Sequence, residues 1–201
     1  MPSLLLSGLR AFAFTAALLA FGALSAPPAG AMEMRSDGIH TESWMKSMTF
    51  LDLSDDLAEA KDQGKGLVLL FEQPGCGSCK RLHEVNFQEP ALVDYLTQNF
   101  DFIQINMYGA KQITDFDGEV LSEAKYAEKH LINFSPTTLF IGADAADGAE
   151  VFRLPGYFKP YFYQSGFEYV VDQGPQNGVI FPRWLKAKRD RLAAADKMPP
   201  G

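Results

Sequence analysis

Five consecutive apolar residues, Leu67-Val68-Leu69-Leu70-Phe71, stand between Gly66 and the breaker run Gln73-Pro74-Gly75. So short a run with no polar alternation reads as a strand buried on both faces. Such a strand needs partners on its edges and helices above and below. The flanking segments supply both. Ser54 caps a helix expected over 54–63, with Asp55 and Asp56 in its first turn. Helices are expected over 76–87, 90–99, 122–131, 159–172 and 182–195. Strands are expected over 101–107, 137–141 and 150–153, the last two joined by the hairpin loop 142–148. Strands separated by helices argue parallel pairing, and the close final pair adds an antiparallel edge. The fold class is therefore α/β, a mixed central sheet with helices on both faces.

The chain has 201 residues, enough for one domain with an appendage. Its net charge is −7, and it has no long basic run, so a phosphate backbone is not its partner. Two cysteines exclude a disulfide-stapled scaffold, and three histidines leave little material for a metal cluster. The N-terminus reads as a targeting segment. Arg10 precedes an uncharged run over 11–24, and Ala29-Gly30-Ala31 offers a cleavage site. The expected cut falls after Ala31, by Sec export because no twin arginine precedes the run. An uncleaved anchor is the alternative, but the run is short of the roughly twenty residues a span requires. The expected organisation is a signal peptide over 1–31, an irregular lead-in over 32–52, a domain over 53–173 and a C-terminal helical extension over 174–201.

Cys76 and Cys79 follow the buried strand directly, in Pro74-Gly75-Cys76-Gly77-Ser78-Cys79-Lys80. A cysteine where a strand turns into a helix meets free amide N–H groups and the positive end of the helix dipole, which stabilise a thiolate. Cys79 lies one helical turn on, where its sulfur can resolve a mixed disulfide formed at Cys76. A purely structural disulfide closing so short a loop removes little unfolded-state entropy. A zinc site needs two further ligands, and His40, His83 and His130 are scattered in the sequence. Catalytic redox chemistry is favoured over both.

The segment LVLLFEQPGCGSCKRLH resembles the active-site segment of the thioredoxin superfamily. Ser135-Pro136-Thr137, opening a strand, resembles that family's cis-proline turn, and Gly156 matches a glycine that members place nearby. The leader, the Phe71-Glu72-Gln73 lead-in and the long loop 108–122 are most similar to SoxW-type periplasmic thioredoxins. The resemblance implies an exported protein-disulfide reductase working in the periplasm without cofactor or metal. In it Cys76 is the nucleophile and Cys79 the resolving thiol. Gly77, Ser78, Ser135, Pro136, Thr137, Gly156 and Tyr157 form the substrate groove. It further implies a monomer that receives electrons from a membrane thiol transporter of the CcdA or SoxV type. The recipient would be a disulfide-bearing carrier such as SoxYZ in a sulfur-oxidation system, with no nucleic acid involved. Cytochrome c maturation, disulfide oxidation and a thiol-based metal-binding module are the alternatives.

The chain departs from the family pattern in three places. Members often bury an acid six residues before the first cysteine, where this chain has Leu70. Glu72 points to the same side of the strand. It is either a substitute proton acceptor or a solvated turn residue. Gly75 replaces a tryptophan, and Gly-Ser replaces Gly-Pro between the cysteines.

Three further features have ordinary readings. His83 reads as a surface or packing histidine more than as a tuner of the thiolate. The aromatic residues between Tyr157 and Tyr169 read as core, with Tyr157 a candidate for the groove rim. Arg183, Lys186, Lys188, Arg189 and Arg191 read as a solvated basic helix face.

Overall fold

The computed structural model describes residues 32–47, 49–145 and 148–197. The expected leader and its cut after Ala31 lie outside them. Four strands form the central sheet: β3 (Gly66–Glu72), β4 (Phe100–Asn106), β7 (Thr137–Ile141) and β8 (Glu150–Pro155), in the order β4-β3-β7-β8. Strand β3 is buried at every position, as an uninterrupted apolar run in a central position requires. It pairs parallel with β4 and antiparallel with β7, while β7 and β8 are antiparallel. The mixed sheet is as expected, but only one pair is parallel. Chain direction reverses at β7, whose first residue Thr137 sits opposite Phe71 near the end of β3.

Alternation along β3 divides the core in two. Val68 and Leu70 face one layer with Leu82, Phe87, Leu92, Leu96, Phe140 and Phe167. That layer is covered by α3 (Pro90–Asn99), α5 (Pro160–Val171) and α6 (Phe181–Ala194). Leu67, Leu69 and Phe71 face the other, packed by α1 (Leu53–Asp62) and α4 (Glu123–Lys129) through Leu53, Leu57, Tyr126 and Ala127. Asp52, not Ser54, caps α1, its carboxylate accepting from the N–H groups of Ser54 and Asp55 at 3.1 and 3.2 Å.

The remaining differences lie in the connections. The expected helix over 76–87 is a short α2 (Gly77–Arg81) followed by a π-helical turn over Leu82–Asn86. The loop 108–122 holds a small hairpin, β5 (Gln112–Thr114) and β6 (Val120–Ser122). Buried Glu123 ties this region down, accepting from the Asn106 N–H at 3.1 Å and the Lys111 N–H at 3.3 Å. The lead-in over 32–52 is not irregular throughout. It carries the short pair β1 (Glu33–Met34) and β2 (His40–Thr41) and buries Ile39, Glu42 and Met45. Trp44 sets its ring edge-on to Phe87 and Phe102. On α6, Trp184 is buried and its ring N–H donates to Asp172 at 3.1 Å, so that helix packs against the domain. Its basic face is partly paired, Lys186 with Asp190 and Lys188 with Glu168. Among the described residues no helix is long and apolar enough to cross a membrane.

Candidate active site

Strand β3 ends at Glu72, and the chain turns through Gln73-Pro74-Gly75 into α2. Gly75 has φ +71°, a left-handed value that a tryptophan would adopt only with strain. Cys76 occupies the N-cap of α2, and its Sγ accepts the Cys79 N–H at 3.0 Å. Anion stabilisation at that sulfur therefore comes from a backbone donor aimed at it as well as from the dipole. The two cysteines form a disulfide with their Cα atoms 5.2 Å apart. Cys76 is half-buried and Cys79 buried, so an approaching sulfur reaches Cys76. Gly77 and Ser78 are exposed beside it.

The reversal at β7 brings the Ser135-Pro136 turn to these sulfurs across 59 residues of sequence. The Ser135–Pro136 peptide is cis, as expected. The Ser135 carbonyl oxygen lies 3.6 Å from Cys76 Sγ, and the Ser135 hydroxyl donates to the same sulfur at 3.4 Å. Thr137, buried at the start of β7, donates its hydroxyl to the Phe134 carbonyl at 2.8 Å and tightens the turn. Gly156 donates its N–H to the Pro136 carbonyl at 2.7 Å, which sets it alongside the turn. The neighbouring Tyr157 lies under the Arg81 guanidinium, 5.1 Å from the ring centre. Of the residues expected to form a groove, Ser135 meets Cys76 Sγ, Gly77 and Ser78 follow it in the chain, Thr137 and Gly156 are tied to the Ser135-Pro136 turn, and Tyr157 is joined to the cysteine helix through Arg81.

Glu72 is fully buried, which excludes the solvated-turn reading. Its carboxylate accepts from the Gln104 side-chain amide at 2.7 Å and lies 3.2 Å from His83 Nε2. His83 is not a surface histidine. It has no exposed area, and its Nδ1 lies 2.9 Å from Glu42 Oε1. Burial alone would lower the His83 pKa, but hydrogen bonds to Glu42 and Glu72 and their charges outweigh it and raise it to about 9. The ring is therefore an imidazolium donating from both nitrogens at neutral pH. Sequence reasoning missed Glu42 entirely. The available signal was the pair Leu70 and His83: the family's usual acid is missing, while a histidine stands four residues after Cys79 on the face that packs inward.

A family model of the thioredoxin-like domain matches residues 53–170. Among solved structures, the chain is similar to a thioredoxin-fold protein from Helicobacter pylori, with 20% identity and a TM-score of 0.55 over 65% of this chain and 86% of that one. It is also similar to a thioredoxin from Thermus thermophilus, with 18% identity and a TM-score of 0.51 over 63% of this chain and 89% of that one. At these identities the likeness is one of fold. None of the curated proteins matches the chain. The matched stretch opens at the first residue of α1, ends in the last turn of α5 and encloses both cysteines and the cis-proline turn; this chain belongs to the thioredoxin-like family.

Proposed function

We propose that the protein is an exported thiol–disulfide oxidoreductase that reduces disulfides of periplasmic partner proteins. The observation that carries the chemistry is the placement of Cys76 Sγ, half-buried at a helix N-terminus and 3.6 Å from the Ser135 carbonyl oxygen. That position combines a stabilised thiolate with a backbone edge along which an extended substrate segment can lie.

In the proposed cycle the Cys76 thiolate attacks one sulfur of the substrate disulfide. The other substrate sulfur leaves as a thiolate and takes a proton from water. Cys79 then attacks Cys76 Sγ and gives its proton to the Glu72 carboxylate. The Cys76–substrate bond breaks, and the second substrate thiolate departs. Two electrons have moved from the dithiol to the substrate. Gly77, Ser78, Ser135, Pro136, Thr137, Gly156 and Tyr157 form the surface on which the substrate lies.

The reducing direction and the setting follow from the resemblance to SoxW-type proteins. On this reading a CcdA- or SoxV-type membrane transporter re-reduces the pair, and a carrier such as SoxYZ is the recipient. The test is twofold. The reduction potential should lie nearer to about −270 mV than to about −120 mV. A Cys79→Ser variant exposed to periplasmic extract should trap the carrier or the membrane donor as a mixed disulfide. A potential near the higher value, with newly exported chains trapped instead, would make the protein an oxidase.

A further inference from the structure

Glu42 lies outside the stretch 53–170 that matches the thioredoxin-like domain, yet it ends in the interior beneath the cysteine helix. Several contacts hold it there. Gln104 on β4 donates one side-chain N–H to the His40 carbonyl at 2.7 Å and also donates to Glu72 at 2.7 Å, tying β2 to the end of β3. Arg35 reaches the Gln104 carbonyl at 3.3 Å. Glu42 then meets His83 Nδ1 while Glu72 meets His83 Nε2, so one ring joins two carboxyl groups from distant parts of the chain. All three side chains are fully or almost fully buried. Among the described residues Glu42 Oε2 has no hydrogen-bond partner, an expensive arrangement for a residue that served only packing.

His83 stands four residues after Cys79, the spacing that places side chains on one helix face. The Lys80–Glu84 ion pair, at 3.3 Å, shows that this spacing brings side chains together here although the π-helical turn begins at Leu82. Cys79 and His83 are both buried, on the side of the helix that faces the core.

We propose that the segment carrying Glu42 is part of the redox machinery: Glu42 is a positioning residue that holds the His83 ring by Nδ1, so that His83 Nε2 meets the Glu72 carboxylate that takes the Cys79 proton. This rests on the assignment of Glu72 as that acceptor. In the resolving step the Cys79 S–H bond breaks and its proton goes to Glu72. The Cys79 electron pair forms the bond to Cys76 Sγ, and the bond from Cys76 Sγ to the substrate sulfur breaks with its pair on the leaving thiolate. A proton arriving at Glu72 meets the Nε2–H of a ring whose opposite N–H is already held by Glu42. The other rings packed against it are His40 on β2, with its centroid 5.7 Å away, and Phe87, edge-on at 5.0 Å; Tyr163 on α5 packs against the Phe87 ring, and its hydroxyl is paired with Thr138 at 3.1 Å. Glu42 and Glu72 are the groups bonded to the ring, so removing the Glu42 charge lets His83 lose its proton at lower pH.

The experiment uses the reduced full-length protein loaded at Cys76 with 5-thio-2-nitrobenzoate, whose release by Cys79 reports the resolving step alone. In the wild type, His83 keeps its proton across about pH 6 to 8, and the profile of the release rate has no inflection from it. In Glu42→Gln the His83 midpoint, read from the ring resonances by NMR, falls into that window. The release rate then changes by about tenfold with the same midpoint, and Glu42→Asp restores the wild-type profile. A folded Glu42→Gln variant whose profile superimposes on that of the wild type overturns the proposal. If Glu42→Gln does not fold, the wild-type His83 midpoint is compared in the disulfide and dithiol forms. A shift between the forms supports coupling to the cysteines, and identical midpoints overturn it. Failure of the wild type to reduce insulin disulfides would count against the reductase reading and leaves this test intact.

Discussion

Glu42 and His83, 41 residues apart in the chain, face each other at 2.9 Å with no exposed area on either side chain. The contact joins a segment outside the thioredoxin-like stretch to the π-helical turn that follows the cysteine helix. Breaking one side of such a contact leaves an uncompensated charge in the interior, which is costlier than losing a surface pair.

The raised His83 pKa has a stability signature of fixed sign. A group whose folded-state pKa exceeds its unfolded value stabilises fully below the unfolded value and loses that effect as pH climbs through the folded one. For His83 the window runs from the ordinary histidine value of 6.5 up to about 9. Denaturant unfolding should therefore show stability declining across this window, by an amount on the order of 3 kcal/mol. His83→Gln should flatten the decline, and an equally steep slope in that variant would assign it to other groups.

Thiol roles can be separated by alkylation. Cys76 should react faster than Cys79 in the reduced protein, with a midpoint below the roughly 8.5 of a free thiol. Cys76→Ser should abolish insulin reduction and form no mixed disulfide. Cys79→Ser should form one and stall. Preferential labelling of Cys79 would reverse the assignment.

Trp44 tests whether the stretch before α1 is structural. Its edge-on contacts with Phe87 and Phe102 predict that Trp44→Ala costs about 2 kcal/mol in denaturant unfolding. A loss within the roughly 0.5 kcal/mol scatter of surface substitutions would mean that the segment is only loosely applied.

Gly109 is required by space. A Cβ there would fall 1.9 Å from Glu123 Oε2, the carboxylate oxygen that receives the Lys111 N–H. Gly109→Ala should displace Glu123, leave buried donors unpaired and destabilise by about 2 to 3 kcal/mol. Unchanged stability would show that the carboxylate relocates without loss.

Much of the fold was legible because local patterns agree with it. The apolar run of β3, the proline opening α3 and the residues of β7 each appear where periodicity and breakers place them. The cysteine spacing after a buried strand was enough to locate the redox pair, since the strand end, turn and helix start are all local. The misses are contacts or pairings that local patterns leave open. The hairpin within 108–122 has strands of three residues, too short for alternation to stand out.

By itself the sequence determined the alternation of strands and helices, the position of Cys76 at a helix start and the strand that opens at Thr137, because steric and hydrophobic preferences act over a few residues. Only the tertiary structure decided that β7 runs against β3. That direction puts Ser135 at the Cys76 end of the sheet, whereas parallel pairing would carry it to the opposite edge. The partners of His83 were decided in the same way. A histidine gains an imidazolium's stability only from the groups packed around it, and Glu42 and Glu72 reach it from separate segments once the core closes.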